Sequence, residues 1–180
     1  MKPLVIYHGG QCTDGFGAAF AAWLKLGDNA EYLPVEHGRS VGANLPVFGG
    51  REVYVLDFSF SQSDMDDIFA EAKRVAWFDH HASVFKDWGV PLDDVADELT
   101  LGLVQPNDHT VILDNNKSGA LLAWEYFHPG TEVPKLIQHI DDRDRWQFKL
   151  EGSKELHAAL ASYKPWEFER WRGIFLCGRF

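Results

Sequence analysis

With 180 residues, of which 46% are hydrophobic and 24% charged, the chain is long enough for one folded domain with a sizeable core. Its net charge of −10 and the lack of a basic block argue against a general nucleic-acid coat or a partner in long duplex DNA, because duplex binding depends largely on cations that neutralise phosphates. The apolar runs fall far short of a membrane span, and two cysteines form no disulfide framework, so we expect a cytoplasmic protein without a membrane partner.

Five apolar segments predict β-strands that alternate with helical segments. The predicted strands cover residues 4–8, 31–35, 52–57, 74–78 and 110–114. Pro34 favours an edge position for the second strand, because proline cannot donate a hydrogen bond to a neighbouring strand. The alternation predicts an α/β fold with a parallel, doubly wound five-stranded sheet, helices on both faces, and further helices at the C-terminus.

Helical patterns fill most of the remaining chain. An alanine-rich segment follows the first strand and ends at Gly27, a residue type that is common just past helix C-termini. Ser61-Gln62-Ser63-Asp64 resembles a capping box that opens the second helix. We predict helices at 15–26, 61–73, around 85–88, 119–127, from 133 into the charged cluster at 141–145, 153–162 and 165–176, and loops at 37–50 and 91–106.

Three predicted strands end in a side chain that can bind a metal ion. His8 ends the first strand, Asp57 the third, and Asp79 the fourth. Because right-handed crossovers bring the carboxyl ends of parallel strands to one edge, we expect these side chains to lie close together. His80 and His81 follow Asp79 directly, and a solvated polar turn is the alternative for this triplet taken alone.

The full set of candidate ligands is rich in carboxylates. It comprises His8, Cys12, Asp14, Asp57, Asp79, His80, His81 and one or more of Asp141, Asp142 and Asp144. Such sets favour the harder ions Mn²⁺ or Mg²⁺, whereas structural zinc prefers thiolate-rich sites. Two ions that share a carboxylate would suit phosphoester hydrolysis, because a metal pair acidifies a water and neutralises phosphoryl oxygens.

These motifs, in this order, resemble the DHH phosphoesterases, which include RecJ-type exonucleases, nano-RNases, cyclic-dinucleotide phosphodiesterases and family II pyrophosphatases. The resemblance covers most of the chain, and it rests on His8 with Asp14, Val55-Leu56-Asp57, Asp79-His80-His81, Ser118-Gly119-Ala120 and Asp142-Arg143-Asp144-Arg145-Trp146. It implies hydrolysis of phosphodiester or phosphomonoester bonds in nucleotides or short oligonucleotides by a metal-activated water. A pyrophosphatase-like anhydride hydrolase and a catalytically impaired nucleotide-binding module are the alternatives.

The resemblance implies two Mn²⁺ or Mg²⁺ ions bridged by Asp57. The first ion would be held by His8 and Asp57, and the second by Asp14, Asp57, His80 and a late aspartate. For this late ligand Asp142 is preferred and Asp144 is the second choice, while an Asp142–Arg145 salt bridge is the structural alternative.

Further residues would act on the substrate. By the same resemblance, His81 would contact the phosphate or stabilise the transition state, and Asp79 would orient a ligand histidine or lie near the metals. Ser118 and Gly119 begin a helix, so they would either cap it or offer their backbone N–H groups to a phosphate. Arg143 would either clamp the phosphate or pair with neighbouring acids.

The chain departs from the family pattern at Cys12, where many relatives carry an aspartate. A thiolate is a softer ligand and matches Mn²⁺ or Mg²⁺ less well, so the first site would be weaker, would select another divalent ion such as Zn²⁺, Fe²⁺ or Co²⁺, or would fill only with substrate. A small buried thiol that only packs beneath the first helix is the alternative.

The second departure is length. Residues 1–150 would form the catalytic domain and residues 151–180 a helical extension or linker, whereas many relatives continue into a second, substrate-binding domain. The chain is then either a short member of the family or a fragment. An open cleft would favour small phosphorylated substrates or a partner that completes the site, and a homodimer is a possible assembly.

Overall fold

A five-stranded, all-parallel sheet forms the centre of the protein, as the alternating pattern predicts. The computed structural model describes residues 1–38, 46–97 and 109–177. The strands are β1 (Leu4–His8), β2 (Glu31–Val35), β3 (Glu52–Leu56), β4 (Arg74–Asp79) and β5 (Thr110–Leu113), and their order in the sheet is β2-β1-β3-β4-β5. The edge position predicted for the strand that contains Pro34 is therefore confirmed.

The described helices follow the predicted ones with small shifts at their ends. They are α1 (Thr13–Leu26), α2 (Gln62–Glu71), α3 (Ala82–Asp87), α4 (Gly119–Phe127), α5 (Lys135–Asp144), α6 (Ser153–Ser162) and α7 (Phe168–Cys177). α1 begins two residues earlier than predicted because the Cys12 thiol accepts a hydrogen bond from the N–H of Gly15 and caps the helix. α2 ends at Glu71 because, after the N–H of Ala72 has donated to Ile68, the N–H groups of Lys73 and Arg74 donate to the Arg51 carbonyl.

Each face of the sheet carries its own core, because side chains alternate between the two faces of a strand. Val5, Leu56 and Phe78 pack beneath the layer that contains α1 and α4. Ile6, Val55 and Trp77 face the opposite layer, which contains α2 and α3. This two-sided arrangement confirms the doubly wound α/β class, and none of the described helices has the length and apolar character needed to cross a membrane.

The C-terminal helices pack on the same core as α1. Leu160 of α6 and Trp171 of α7 are buried in it, and the Trp171 ring lies edge-on to Phe16 and Phe20 of α1. Helix α5 also packs there through Leu136, Ile137 and Ile140. These contacts bring the C-terminal turn of α5 and the α6–α7 connection to the edge of the sheet where the strands end.

Two predicted loops extend beyond the described residues. Residues 39–45 of the segment at 37–50, and residues 98–106 of the segment at 91–106, lie outside the described residues. In the described residues, the direction in which successive strands are added to the sheet reverses between β1 and β3. Open α/β sheets bind ligands in the crevice at the carboxyl ends of such strands, and this is where the predicted site residues lie.

Candidate metal centre

Asp57 lies between two histidines at the carboxyl ends of the central strands. Its Oδ2 atom is 3.5 Å from Nδ1 of His8, and its Oδ1 atom is 3.1 Å from Nε2 of His80. The Asp57 backbone has a φ of 54°, in the left-handed region that a non-glycine residue adopts at some cost, and its N–H donates to the Phe78 carbonyl over 2.9 Å. The sheet thus holds the Asp57 carboxylate, which is fully buried, between the two imidazoles.

The turn from β1 into α1 supplies two more candidate ligands. The Cys12 thiol lies 3.7 Å from Oδ2 of Asp57, and Oδ2 of Asp14 lies 3.3 Å from Nε2 of His80. The turn is so tight that a side chain at Gly15 would clash with the backbone of His8, since a Cβ there would be 2.1 Å from the carbonyl oxygen. A glycine at position 15 is therefore required to bring the turn against the end of β1.

The amino terminus of α4 fixes Asp14. The two carboxylate oxygens of Asp14 accept hydrogen bonds from the N–H groups of Gly119 and Ala120, at 2.7 and 2.8 Å. The positive end of the helix dipole stabilises a negative charge at this place. The helix approaches so closely that a Cβ at Gly119 would lie 2.4 Å from the Cβ of Asp57. The position of Asp57 therefore also requires glycine at residue 119.

Asp144, and not Asp142, completes the cluster. Oδ2 of Asp144 is 3.5 Å from Nε2 of His80, so this imidazole nitrogen faces three carboxylates. The preference for Asp142 as the late ligand was wrong. Asp142 instead accepts hydrogen bonds from the N–H groups of Lys149 and Leu150 and from the Ser153 hydroxyl, at 2.7, 3.2 and 2.5 Å.

The packing of one face of α5 on the core explains this correction. Asp144 lies four residues after Ile140 and seven after Ile137, so it shares the face of α5 that packs on the core. Asp142 is rotated by more than half a turn from Asp144 and reaches the segment that follows the helix. The Asp142–Arg145 salt bridge is likewise not formed; Arg145 pairs with Asp141 at 3.6 Å.

Asp79 holds His81 in place. One oxygen of Asp79 accepts hydrogen bonds from the N–H groups of His80 and His81, at 2.7 and 3.0 Å, and lies 2.7 Å from Nδ1 of His81. The Ser59 hydroxyl donates to the other oxygen. These contacts support the predicted orienting role for Asp79, and they leave the His81 side chain 32% exposed at the rim.

Three ligand groups overlap in this region, which we call the His–Asp cluster. They are His8, Cys12 and Asp57; Asp57, His80 and His81; and Asp14, His80 and Asp144. Within each group, one ligand atom per residue lies within 4.8 Å of the others. Asp57 belongs to two of these groups, as the predicted bridging carboxylate would.

The hydrogen bonding of the His–Asp cluster fits a bound cation. Among the described residues, Nδ1 of His8, Oδ1 of Asp57 and Nε2 of His80 are buried atoms without a hydrogen-bond partner. Their contacts with neighbouring charges, such as the 3.1 Å between Asp57 and His80, are not hydrogen bonds, and a buried polar atom without a hydrogen bond costs roughly 1–3 kcal/mol. All three are atoms that ligate divalent ions. Because no protein group forms a hydrogen bond with them, this donor set suits a bound metal ion.

The charges of the cluster are strongly coupled. Burial and the neighbouring Asp57 charge raise the pKa of Asp14 to about 7. Burial favours a neutral His80, but contacts with Asp14 and Asp57 outweigh it and raise the pKa of His80 to about 11. Burial also opposes the charge on Asp57, but its contacts with His8 and His80 prevail and lower its pKa. In the absence of an ion, a proton on His80 therefore supplies the positive charge among the carboxylates.

The residues that were predicted to bind the substrate phosphate differ in how well the structure fits that role. The N–H groups of Ser118 and Gly119 donate to Asp141 and Asp14, both at 2.7 Å, so the predicted phosphate cradle is already occupied. The Ser118 hydroxyl caps α4 by accepting from Leu121, which was the structural alternative. Arg143 is partly exposed and lies 3.5 Å from Asp144, so its phosphate-binding role stays a prediction.

His37 lies at the site although the sequence analysis did not select it. Its ring is stacked on Phe58 and lies edge-on to His8, with centroid distances of 5.3 and 4.9 Å. His37 follows β2, so the rule that places ligand-type residues at the ends of parallel strands could have identified it. Ser59, which bonds Asp79, has no comparable sequence signal.

Comparison with known proteins names no activity. No family model and no solved structure matches the chain. It is similar to the uncharacterized protein R106 of Acanthamoeba polyphaga mimivirus, with 29% identity over 164 residues that cover 84% of this chain. The match covers 35% of the viral protein, so the chain spans well under half the length of this curated relative.

Proposed function

We propose that the chain is a metal-dependent phosphoesterase of the DHH type, which hydrolyses phosphodiester or phosphomonoester bonds in nucleotides or short oligonucleotides. The carrying observation is the convergence of three buried ligand atoms without a hydrogen bond, from His8, Asp57 and His80, at the reversal point of the sheet. The order of the motifs along the chain supports the same proposal. Residues of the first three motifs and Asp144 of the last one lie in the cluster, and the N–H groups of Gly119 and Ala120 donate to Asp14.

The residues present suit two divalent ions, Mn²⁺ or Mg²⁺. His8, Cys12 and Asp57 would hold the first ion. Asp14, His80 and Asp144 would hold the second, and Asp57 would be shared. Bound ions of this kind supply a more acidic water and neutralise charge on phosphoryl oxygens.

His81 and Arg143 would act on the phosphate itself. Burial opposes a charged His81, but the contact with Asp79 outweighs it and raises the pKa of the imidazole to about 9. In its protonated form, the ring would donate from Nδ1 to Asp79 and from Nε2 to a phosphoryl or leaving-group oxygen. Arg143 adds a second positive charge beside Asp144.

Metal binding and turnover test the proposal together. Isothermal titration of the protein with Mn²⁺ should show two sites, and Mn²⁺ should activate hydrolysis of bis(p-nitrophenyl) phosphate. The variant Asp57→Asn should lose both ions and the activity, because the shared ligand is gone. Asp66→Asn, which changes an exposed carboxylate on α2, is the matched control and should behave like the wild type.

The other outcomes are distinct. Two bound ions without turnover of any ester would favour a binding module. Phosphate release from pyrophosphate, with no cleavage of a dinucleotide, would favour an anhydride hydrolase. Absence of Mn²⁺ binding in the wild type would overturn the proposal.

A further inference from the structure

A cavity of about 560 Å³ opens beside the His–Asp cluster. Its volume lies in the range of small-molecule sites, roughly 300–1,000 Å³. It is lined by the end of β1 and the turn after it, by Pro34 of β2, by Phe16 in α1, and by residues 164–166 between α6 and α7. His8 and Cys12 also line it, and these two residues belong to the first ligand group, so the cavity and the candidate metal centre are continuous.

Aromatic rings form a large part of the cavity wall. The rings of Phe16 and Trp166 have centroids 5.5 Å apart, and Trp166 is anchored by its indole N–H, which donates to the Leu160 carbonyl over 2.7 Å. Trp166 is partly exposed, whereas Phe16 is buried. The wall thus offers a fixed ring face to a bound group rather than a mobile one.

An exposed cation lines this cavity. Nζ of Lys164 lies 5.6 Å from the centroid of the Trp166 ring, and it donates a hydrogen bond to the side chain of Gln11, another lining residue. Lys164 is the positively charged residue among those that line the cavity. A ligand that combines a flat apolar ring with hydrogen-bond acceptors at its edge matches this arrangement.

We propose that the cavity between the β1–α1 turn and Trp166 holds the aromatic ring of the substrate, a nucleobase, while the phosphate that carries it lies at the His–Asp cluster. This assignment rests on the proposed function and adds a location for the part of the substrate beyond the phosphate. Trp166 stacks on the base, and Lys164 donates to acceptor atoms at its edge. The C-terminal helices thereby contribute a substrate subsite.

Calorimetric binding of two ligands that differ only in the base tests this assignment. Adenosine 5′-monophosphate and ribose 5-phosphate are titrated into the full chain in the presence of Mn²⁺, and the ligands are checked for cleavage afterwards. Stacking of one base on an aromatic side chain changes affinity by about 10-fold to 100-fold. We expect the wild type to bind the adenine ligand at least about 10-fold more tightly.

Two substitutions at Trp166 form a matched pair. Both Trp166→Leu and Trp166→Phe lose the hydrogen bond to Leu160, but only the phenylalanine retains a ring face. Trp166→Leu should bind both ligands equally, while Trp166→Phe should retain most of the preference. Lys164→Met, which changes an exposed side chain, should weaken binding of the adenine ligand several-fold, and all three variants should bind Mn²⁺ as the wild type does.

The possible failures are separable. Equal binding of both ligands by Mn²⁺-loaded wild type would overturn the base subsite and leave the proposed function standing. A folded Trp166→Leu variant that retains the full preference would also overturn it. If the wild type binds no Mn²⁺, the proposed function fails, and the same comparison with adenosine and ribose decides whether the cavity binds the ring.

Discussion

Two carboxylates at the end of α5, only two residues apart, have opposite surroundings: Asp142 is buried and Asp144 is partly exposed. Asp142 lies in a pocket, here called the Asp142 pocket, where Ser153 and the N–H groups of Lys149 and Leu150 fill its acceptor positions. Asp144 faces His80 across 3.5 Å, beside two further carboxylates. Protein donors fill the acceptor positions of Asp142, which gives this acid a structural role. Asp144 instead faces an imidazole and other acids, where the proposed metal ion would supply positive charge.

The variant Asp144→Asn should produce the largest change in metal binding. It removes a charged ligand from the group that contains Asp14 and His80, so we expect the affinity for one Mn²⁺ to fall by roughly 100-fold or more. The second ion, held by His8, Cys12 and Asp57, should remain. Calorimetric titration with Mn²⁺ measures both sites, and unchanged binding of two ions would exclude Asp144 as a ligand.

Asp142→Asn should show the reverse pattern. The amide places N–H groups against backbone donors and removes charge-assisted hydrogen bonds, so the free energy of unfolding should fall by about 3 kcal/mol. Thermal denaturation should show a decrease in Tm of roughly 6–12 °C for a domain of this size. Mn²⁺ affinity should change by less than about threefold. Loss of Mn²⁺ binding in a folded Asp142→Asn variant would mean that the two acids have been assigned the wrong roles.

The loss of stability in Asp142→Asn should depend on pH. Burial opposes the charge on Asp142, but the hydrogen bonds from Ser153 and Lys149 outweigh it and lower its pKa. A lowered pKa stabilises the fold above the unfolded value of about 4, and this stabilisation is lost as the pH falls through the folded pKa. The difference in Tm between wild type and Asp142→Asn should therefore be full at pH 6 and should shrink below pH 4.

A pH series separates the His–Asp cluster from the Asp142 pocket. His80, with its pKa raised to about 11, carries a proton at neutral pH that a metal ion must displace. Mn²⁺ affinity should therefore rise with pH between 6 and 8, by up to about tenfold per pH unit for each proton released. In the absence of metal, the raised pKa stabilises the fold fully below about pH 6.5, and that stabilisation is lost as the pH rises towards 11.

Calorimetry in buffers of different ionisation enthalpy counts the protons released with each ion. The Asp142→Asn variant should show the same slope as the wild type, since the Asp142 pocket takes no part in ion binding. A metal affinity that is independent of pH would contradict the proton on His80.

Much of this site could be predicted from the ends of the strands. His8, Asp57 and Asp79 follow apolar runs whose strand character is clear, and parallel pairing then brings them to one edge without any knowledge of side-chain packing. The positions of Cys12 and Asp14 followed from the short turn into α1. Fold class and most of the ligand set were thus contained in local pattern and topology.

Contacts between distant segments could not be predicted in the same way. The sequence shows that Ser118 and Gly119 begin a helix, but not that Asp14, more than a hundred residues earlier, occupies its N–H groups. The rotation of α5 about its axis depends on how Ile137 and Ile140 pack, and this rotation decides between Asp142 and Asp144. The hydrogen bond from Ser59 to Asp79 likewise joins two segments that are 20 residues apart, and no sequence signal indicates it.

The smallest effect is expected at Cys12, and it concerns the choice of ion. Burial and the charges of Asp57 and Asp14 raise the pKa of the Cys12 thiol, so it must lose a proton to become a ligand, and as a thiolate it suits Zn²⁺ better than Mn²⁺. Cys12→Asp should raise Mn²⁺ affinity at the first site by about fivefold and lower the preference for Zn²⁺. Cys12→Ser is the matched control, because serine also caps α1 but supplies no charged ligand.

Competition titrations of Zn²⁺ against Mn²⁺ measure the Cys12 effect directly. If Cys12→Asp and Cys12→Ser show the same ion preference as the wild type, the thiol only packs beneath α1, and the first ion depends on His8 and Asp57 alone. If only Cys12→Asp shifts towards Mn²⁺, position 12 sets the metal selectivity of one side of the cluster. Asp144 faces the other side, so its contribution to Mn²⁺ binding should be the same in all three proteins.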